Sequence, residues 1–329
     1  MSYNRTMSEL NPKLIQLTSI LSDCEYHDGD SLGNTLNVTR SAVWKMIKKL
    51  SDYGINITSI KGKGYKLDNP LLLLNPKIIS DGLPTELKNK MTLQVCETIT
   101  STNTYLKENF DPDKINICIS EHQAHGKGRF NRHWLSPFGK NLYISFRFRI
   151  RKDISELSGL TLAISVATMN TLKKFGVESK IKWPNDVYCN DKKISGNLIE
   201  IIAESNSITD AIIGIGLNIN MLNIETNDIL PWTSIAKETD NIVNRNEVAI
   251  ELISQLTNQI DIFAAKGISH FLNIVNQNNY LQDKNITLTQ NESIYKGIAS
   301  GIDELGRLIL TLEDGTKHHF SSGDAHITL

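Results

Sequence analysis

"EHQAHGKGRFNRHWLSPFGKNLYIS", residues 121–145, is the stretch on which the reading of this chain turns. At its centre, Gly126 to Trp134 is a glycine-punctuated run of cations closed by a tryptophan. Gly126 and Gly128 free the backbone to fold closely round a ligand and to turn N–H groups inward. Lys127, Arg129 and Arg132 add fixed positive charge suited to a phosphate, a carboxylate or both. Arginine offers a planar fork of donors and lysine a point charge. The Trp134 ring can stack on a planar heterocycle such as a nucleobase. The G-x-G pattern lacks the strand–GxGxxG–helix setting of a dinucleotide site and is not a Walker loop. By itself it is equally an exposed basic loop beside a half-buried tryptophan.

Working outward, the strand candidates are "TLQVCETI", "INICISEHQ", "LYISFRFRI", "SKIKWPNDVYCN", "KKISGNLIEII" and "DAIIGIGLNIN". The helical candidates are "STNTYLKENF", "SELSGLTLAISVATMNTLKKFG" and "NRNEVAIELISQLTNQIDIFAAKG". Strands follow one another through short turns, so the pattern predicts a mixed or antiparallel sheet with helices on one face. "LYISFRFRI" reads either as an edge strand able to pair with a twin or as a strand packed under helices. The last stretch, from "NITLTQ" onward, has short strands separated by Gly, Asn and Asp turns, which predicts a small all-β barrel.

The N-terminal part has its own pattern. Leu10, Leu14, Leu17 and Leu21 recur at helical spacing, with Ser8 as a plausible cap. A short helix at Ser31–Leu36, a turn, and a helix from about Arg40 to Tyr53 ended by Gly54 follow. "INITSIKGKGYKLD" then reads as a basic hairpin, which completes the order of a winged helix-turn-helix. Between Val38 and Leu67 the cations Arg40, Lys45, Lys48, Lys49, Lys61, Lys63 and Lys66 face Asp52 alone. Such a stripe can neutralise phosphates on either side of a DNA groove. Arg40, Ser41 and Trp44 are the base-contact candidates, with Trp44 equally readable as half-buried core.

The 329 residues exceed what one hydrophobic core usually accommodates and predict two or three domains. The net charge of −1 makes no global statement about partners, so local clusters must carry it. Cys24, Cys96, Cys118 and Cys189 lie far apart without C-x-x-C spacing, which indicates neither a zinc site nor a disulfide framework. Reduced thiols, a start without signal-peptide features and no apolar run long enough for a bilayer predict a soluble, cytoplasmic protein with no membrane partner.

Four further segments bear on the loop. "KWPNDVY" (182–188) sets Asn185 and Asp186 directly after a proline, and "KKISGNLIE" (192–200) sets Gly196 three residues after Lys193. "GIGLNIN" (214–220) ends an apolar strand with glycines and Asn218, and "ITSTNTYLK" (99–107) places Ser101 and Thr102 at a helix start. Each alone is also a strand-end turn, a hairpin turn, a bulge or an N-cap.

Together and in this order the motifs closely resemble the biotin protein ligases. With the N-terminal winged helix they resemble the bifunctional kind that also represses the biotin operon. The resemblance covers essentially the whole chain: S-T-N, G-x-G-R, W-x-S-P-x-G-x-N-L-Y-x-S, K-W-P-N-D, K-x-x-G and G-x-G-x-N. It implies an α+β fold: a winged helix-turn-helix over 1–69, a class II synthetase-like ligase domain with a mixed sheet over 70–281, and an SH3-like barrel over 282–329. It implies the activity of a biotin–[acetyl-CoA-carboxylase] ligase. Biotin and Mg2+-ATP give biotinoyl-5′-AMP, and the biotinoyl group passes to a lysine of biotin carboxyl carrier protein. Operator DNA and a homodimer of the adenylate-bound form are the further partners implied.

By the same resemblance Lys193 lies next to the biotin carboxylate and α-phosphate, and Arg129 and Lys127 brace the phosphates. Ser101, Thr102, Asn103 and Gln123 belong to the biotin pocket with Gly126 and Gly196. Arg132, Trp134, Asn185 and Asn218 fall to the nucleotide, with Trp134 over the adenine. Asp186 helps position magnesium or the incoming lysine. Lys45, Lys48, Lys49, Lys61 and Lys63 join Arg40, Ser41 and Trp44 on the DNA side. One departure stands out: where the family loop commonly reads G-R-G-R-x-G-R, this chain has Lys127 for an arginine and Asn131 for a glycine. Asparagine tolerates the left-handed backbone better than other residues with a side chain. Two other readings stay open, a lipoate or octanoate ligase and a non-catalytic, ligand-sensing DNA-binding regulator.

Overall fold

The computed structural model describes residues 7–205, 208–223 and 231–328. They fall into two compact units, one running to Phe146 and including Ile242–Ile250, the other made of Arg147–Asn241 and Glu251 onward.

The first unit opens with strand β1 (Ser8–Glu9) and helices α1 (Pro12–Leu21), α2 (Gly29–Leu36) and α3 (Arg40–Asp52). Asn11, not Ser8, caps α1: its side chain accepts from the Lys13 N–H, and Pro12 occupies the first turn. Proline pre-sets the helical φ there, which moves the start three residues past the expected cap. Asn37, at φ 53°, ends α2 in the left-handed region, and the Thr39 side chain caps α3 by accepting from the Ala42 N–H. The three-residue turn between them is the helix-turn-helix joint. Leu14, Leu17, Leu21, Leu32, Leu36, Val43, Ile47 and Leu50 are buried as its core. The wing is the hairpin β2 (Ile57–Ile60) and β3 (Gly64–Leu67), with Ile57 opposite Leu67. At Gly64 a Cβ would stand 1.9 Å from the His27 carbonyl oxygen, so glycine alone lets the wing pass this close.

Between the wing and the strands that follow, the chain forms two short helices that local patterning misses, α4 (Pro76–Gly82) and α5 (Thr85–Asn89). Asn75 caps the first and Pro84 precedes the second. Then come β4 (Met91–Ile99), α6 (Thr102–Glu108), β5 (Ile115–Gln123) and β6 (Leu142–Ile150). β4 and β5 are parallel, from Met91 opposite Ile115 to Ile99 opposite Gln123. β1 lines the other side of β4, with Ser8 opposite Thr98. β6 is an inner strand, buried at every residue but Arg149, so the edge-strand reading of "LYISFRFRI" does not hold.

The second unit begins with α7 (Leu160–Lys174), which Gly159 at φ 79° separates from the preceding helical turn. Most of α7 is buried, and its buried Ser165, Thr168 and Thr171 hydroxyls donate to carbonyls one turn earlier. Strands β7 (Lys180–Lys182), β8 (Asp186–Cys189), β9 (Lys192–Ser205) and β10 (Ile208–Leu217) form an antiparallel meander. "SKIKWPNDVYCN" is therefore two strands, and Pro184, which has no N–H for a ladder, lies in the turn between them. Strand pairing is thus parallel between β4 and β5 in the first unit and antiparallel in the meander of the second. Helices α8 (Ile235–Thr239), α9 (Arg245–Lys266) and α10 (Leu272–Gln277) follow. The chain ends in a five-stranded antiparallel sheet of β11 (Asn285–Gln290), β12 (Ser293–Ile302), β13 (Leu308–Leu312), β14 (Lys317–Phe320) and β15 (Asp324–Ile327). Its order is β14-β13-β12-β11-β15. No described helix is long and apolar enough to cross a membrane.

Candidate active site and DNA-binding face

In the first unit, β4 ends at the start of α6 and β5 ends at Gln123, which brings Ser101–Asn103 and Gln123 together. The Thr102 N–H and hydroxyl both donate to Gln123 Oε1, at 2.9 and 3.1 Å. Gln123 Nε2 donates to Ser136 Oγ at 3.2 Å, and Ser136 donates to the Trp134 carbonyl. Ser145 Oγ lies 2.6 Å from both Thr102 Oγ1 and Asn103 Oδ1. Ser101, Thr102, Asn103, Gln123, Ser136 and Ser145 are all buried. Ser101 occupies the N-cap position of α6 without a side-chain capping bond. The hydroxyls that a local reading assigns to capping thus include a buried, uncharged network instead. A network of neutral donors and acceptors suits a neutral polar head group such as a urea. Ser136 and Ser145 are not among the expected site residues, although both are fixed positions of the W-x-S-P-x-G-x-N-L-Y-x-S motif.

The glycine–cation loop is partly closed on itself. Gly128 N–H donates to the Arg132 carbonyl at 2.7 Å, Trp134 N–H donates to the Gly126 carbonyl, and Lys127 bridges His133. The Gly128 N–H is therefore satisfied within the loop, contrary to the picture of amides turned to a ligand. Gly126 is required by space: a Cβ would lie 2.4 Å from the Trp134 carbonyl oxygen. Asn131 does take the left-handed backbone, at φ 57°, as does Phe130 at φ 55°. Phe130 is exposed, with the Arg129 and Arg132 guanidinium carbons 4.9 and 5.9 Å from its ring centre.

In the second unit, the β8–β9 register sets Asp186 opposite Gly196 and Tyr188 opposite Lys193. Lys193 Nζ lies 2.7 Å from Asp186 Oδ1, both side chains being partly exposed. A Cβ on Gly196 would stand 3.0 Å from Lys193 Nζ and 3.1 Å from Asp186 Oδ1, so glycine keeps the space beside this ion pair open. The Lys193 backbone is held on both sides: its N–H donates to Pro231 and its carbonyl accepts from Thr233. Asn185 Nδ2 donates to the Asn197 carbonyl at 2.7 Å, and Asn218 Nδ2 to the Thr233 carbonyl at 3.0 Å. Both amides thereby shape the segments round Lys193. Burial, and secondarily the Asp186 charge, pushes the Tyr188 hydroxyl well up, so it stays protonated beside the pair. Burial likewise pushes the Cys189 thiol up to about 12, which keeps it out of nucleophilic chemistry at neutral pH.

On the winged helix, Trp44 is 51% exposed on α3, with Lys48 Nζ 5.5 Å from its ring centre. Trp44 is thus not core. Ser41 and Lys45 are exposed near it, and Arg40 pairs with Asp30 at 3.1 Å. On the wing, Lys61 is exposed in the turn and Lys63 lies 5.8 Å from the Tyr26 ring centre. Lys49 is engaged elsewhere, 2.5 Å from Glu97 of β4.

A helix-turn-helix head precedes a domain with a pinned lysine–aspartate pair, and comparison with known proteins gives the class: a protein ligase of the biotin/lipoate type that carries a DNA-binding module. Three family descriptions match in that order: an HTH domain over 13–66, the biotin/lipoate A/B protein ligase family over 95–218, and the biotin protein ligase C-terminal domain over 283–326. The chain is 32% identical over 312 residues to the bifunctional ligase/repressor BirA of Escherichia coli, covering 94% of this chain and 95% of that one. It is 28% identical over 320 residues to BirA of Bacillus spizizenii, covering 96% and 98%. A biotin protein ligase from Aquifex aeolicus, solved in complex with biotin and ATP, superposes with a TM-score of 0.60 at 25% identity, over 72% of this chain and 98% of that one. The chain belongs to the family of bifunctional biotin protein ligase/repressors.

Proposed function

We propose that this protein joins biotin to a carrier protein with ATP as the energy source and represses transcription in response to biotin. The observation that carries the catalytic reading is the Lys193 ammonium, fixed 2.7 Å from Asp186 beside the open side of Gly196. In the first step a biotin carboxylate oxygen attacks the α-phosphorus of ATP. A new P–O bond forms, the bond to the β-phosphate bridge breaks, and pyrophosphate leaves. Two anions must approach, and a fixed cation offsets their repulsion and the charge developing at phosphorus. Lys193 has that role, with Arg129 and Lys127 on the phosphates. Ser101, Thr102, Asn103 and Gln123, joined by Ser136, receive the ureido head, and Arg132, Trp134, Asn185 and Asn218 belong to the nucleotide side. In the second step the neutral amine of the carrier lysine attacks the acyl carbon. The amide forms, AMP leaves, and the amine gives up a proton.

Magnesium enters as part of the Mg-ATP substrate. One carboxylate beside the reacting phosphates, Asp186, suits an ion held chiefly by phosphate oxygens and water. We place the domain boundaries near residues 69 and 281 and the protein in the cytoplasm, as a homodimer when it holds the adenylate.

Two experiments test parts of this reading. Lys127→Arg is expected to slow release of the adenylate about tenfold, the size of one charged hydrogen bond, without changing its rate of formation. Rapid-quench measurement of bound and released adenylate checks it, and unchanged release would refute the role given to Lys127. Binding to an operator fragment is expected to require biotin and ATP. Its salt dependence should fall by about two when Lys45 and Lys48 are both replaced by glutamine, since each lysine neutralises one phosphate. A salt slope equal to that of the unaltered protein would remove these lysines from the DNA face.

A further inference from the structure

Helix α3 carries three faces. Val43, Met46, Ile47 and Leu50 pack into the winged-helix core, while Ser41, Trp44, Lys45 and Lys48 point to solvent. Lys49 and Tyr53 are four residues apart, one turn along the same side. Lys49 is itself 44% exposed, and both meet the ligase strands. Lys49 Nζ stands 2.5 Å from Glu97 Oε1, and the Glu97 side chain is fully buried. The Tyr53 hydroxyl donates to the same oxygen at 2.9 Å and lies 2.8 Å from Thr98 Oγ1. The Tyr53 ring stacks on Phe138, with centroids 4.2 Å apart and planes at 4°, and tilts against His122 at 6.0 Å.

Every segment that meets this contact also supplies the buried polar network. Glu97 and Thr98 lie on β4 just before Ser101 and Thr102, His122 immediately precedes Gln123, and Phe138 lies two residues after Ser136. In the β4–β5 register Thr98 is opposite His122 and Ile99 is opposite Gln123. Glu97 and Thr98 are adjacent on β4 and both reach Tyr53, directly before Ile99, which lies opposite Gln123. The contact to α3 and the polar network therefore share the same ends of β4 and β5.

We propose that Lys49, Tyr53 and Glu97 form a latch that couples the DNA-reading helix to the ligand pocket within a single chain. This rests on the ligase–repressor reading and adds its route: ligand that orders Thr102, Gln123 and Ser136 also fixes the strand ends on which α3 is docked. Lys49 is then a positioning residue, and the DNA-facing cations of α3 are Lys45 and Lys48. A buried carboxylate that loses its cation is strongly disfavoured, which makes Glu97 the pivot of the latch.

Hydrogen exchange of the full chain, with and without biotin and Mg-ATP, tests it. In the unaltered protein, ligand is expected to slow exchange of the amides at residues 53–55 about fivefold or more, the lower end of ordinary coupling between sites. In Glu97→Gln, and in Tyr53→Phe, which keeps the ring but removes the hydroxyl, that slowing should shrink to less than about twofold while carrier biotinylation continues. Full slowing retained in both variants would overturn the latch, as would no slowing in an unaltered protein that ligates biotin normally. Failure of the unaltered protein to ligate biotin at all would instead bring down the underlying reading, and the latch with it.

Discussion

Replacing Lys193 with methionine is expected to lower the rate of adenylate formation by about a hundredfold to a thousandfold, the usual cost of removing one preorganised charge from a transition state. The chain holds this lysine more firmly than any local rule demands. Its backbone is bonded to Pro231 and Thr233, its ammonium to Asp186, and Gly196 clears the adjacent space. The loss should fall chiefly on kcat in pyrophosphate release, with smaller changes in KM for biotin, because the neutral network round Gln123 belongs to other segments. Lys193→Arg is expected to recover little, since a planar fork cannot replace a point charge in a space so close that even a Cβ on Gly196 would stand 3.0 Å from the ammonium. Rates within a fewfold of the unaltered protein in Lys193→Met would remove Lys193 from the chemistry.

The second large effect is on stability. Arg245→Met is expected to destabilise the first unit by about 3–5 kcal/mol, because it strands a buried carboxylate. Arg245 and Glu121 are 1% and 0% exposed, with Nη1 2.7 Å from Oε2. The same guanidinium donates to the carbonyls of Asn141 and Leu72, and Leu74 N–H donates to Glu121 Oε1. This knot ties the connector after the wing to strand β5, two residues before Gln123. The double variant Arg245→Met, Glu121→Gln should recover most of the loss, since neutralising both members removes the unpaired charge. Urea denaturation followed by fluorescence checks both. Equal destabilisation in the single and double variants would show that packing of the arginine stem, not the ion pair, matters.

How much of the molecule is legible in its sequence follows from the range of the forces involved. The helix-turn-helix is legible because leucine spacing, Asn37, Thr39 and Gly54 act within a turn or two of themselves. That Lys193, Asp186 and Gly196 lie together follows from adjacent antiparallel strands, which bring near neighbours in sequence side by side. Lys49 reads as a residue of the DNA face because its charge alone is visible. Its partner Glu97 lies in another strand, and no local pattern connects the two. The loop at 126–134 reads as a cradle of free amides, whereas Gly128 bonds Arg132 across the loop. Glycine spacing shows that a backbone can bend sharply, not where its N–H groups then go. Ser136 and Ser145 belong to a familiar motif but look like ordinary turn and strand residues. Only burial beside Gln123 and Thr102 distinguishes them. The short helices α4 and α5 escape because segments of seven and five residues carry little periodicity.

That this chain transfers biotin is met most directly by a single assay. Purified protein is incubated with Mg-ATP and either radiolabelled biotin or radiolabelled lipoate, with and without a biotin carrier domain. Label from biotin is expected to become covalently attached to the carrier, to require ATP, and to disappear when the acceptor lysine is replaced by arginine. Transfer from lipoate in place of biotin, or no transfer from either while the protein remains folded, would contradict it.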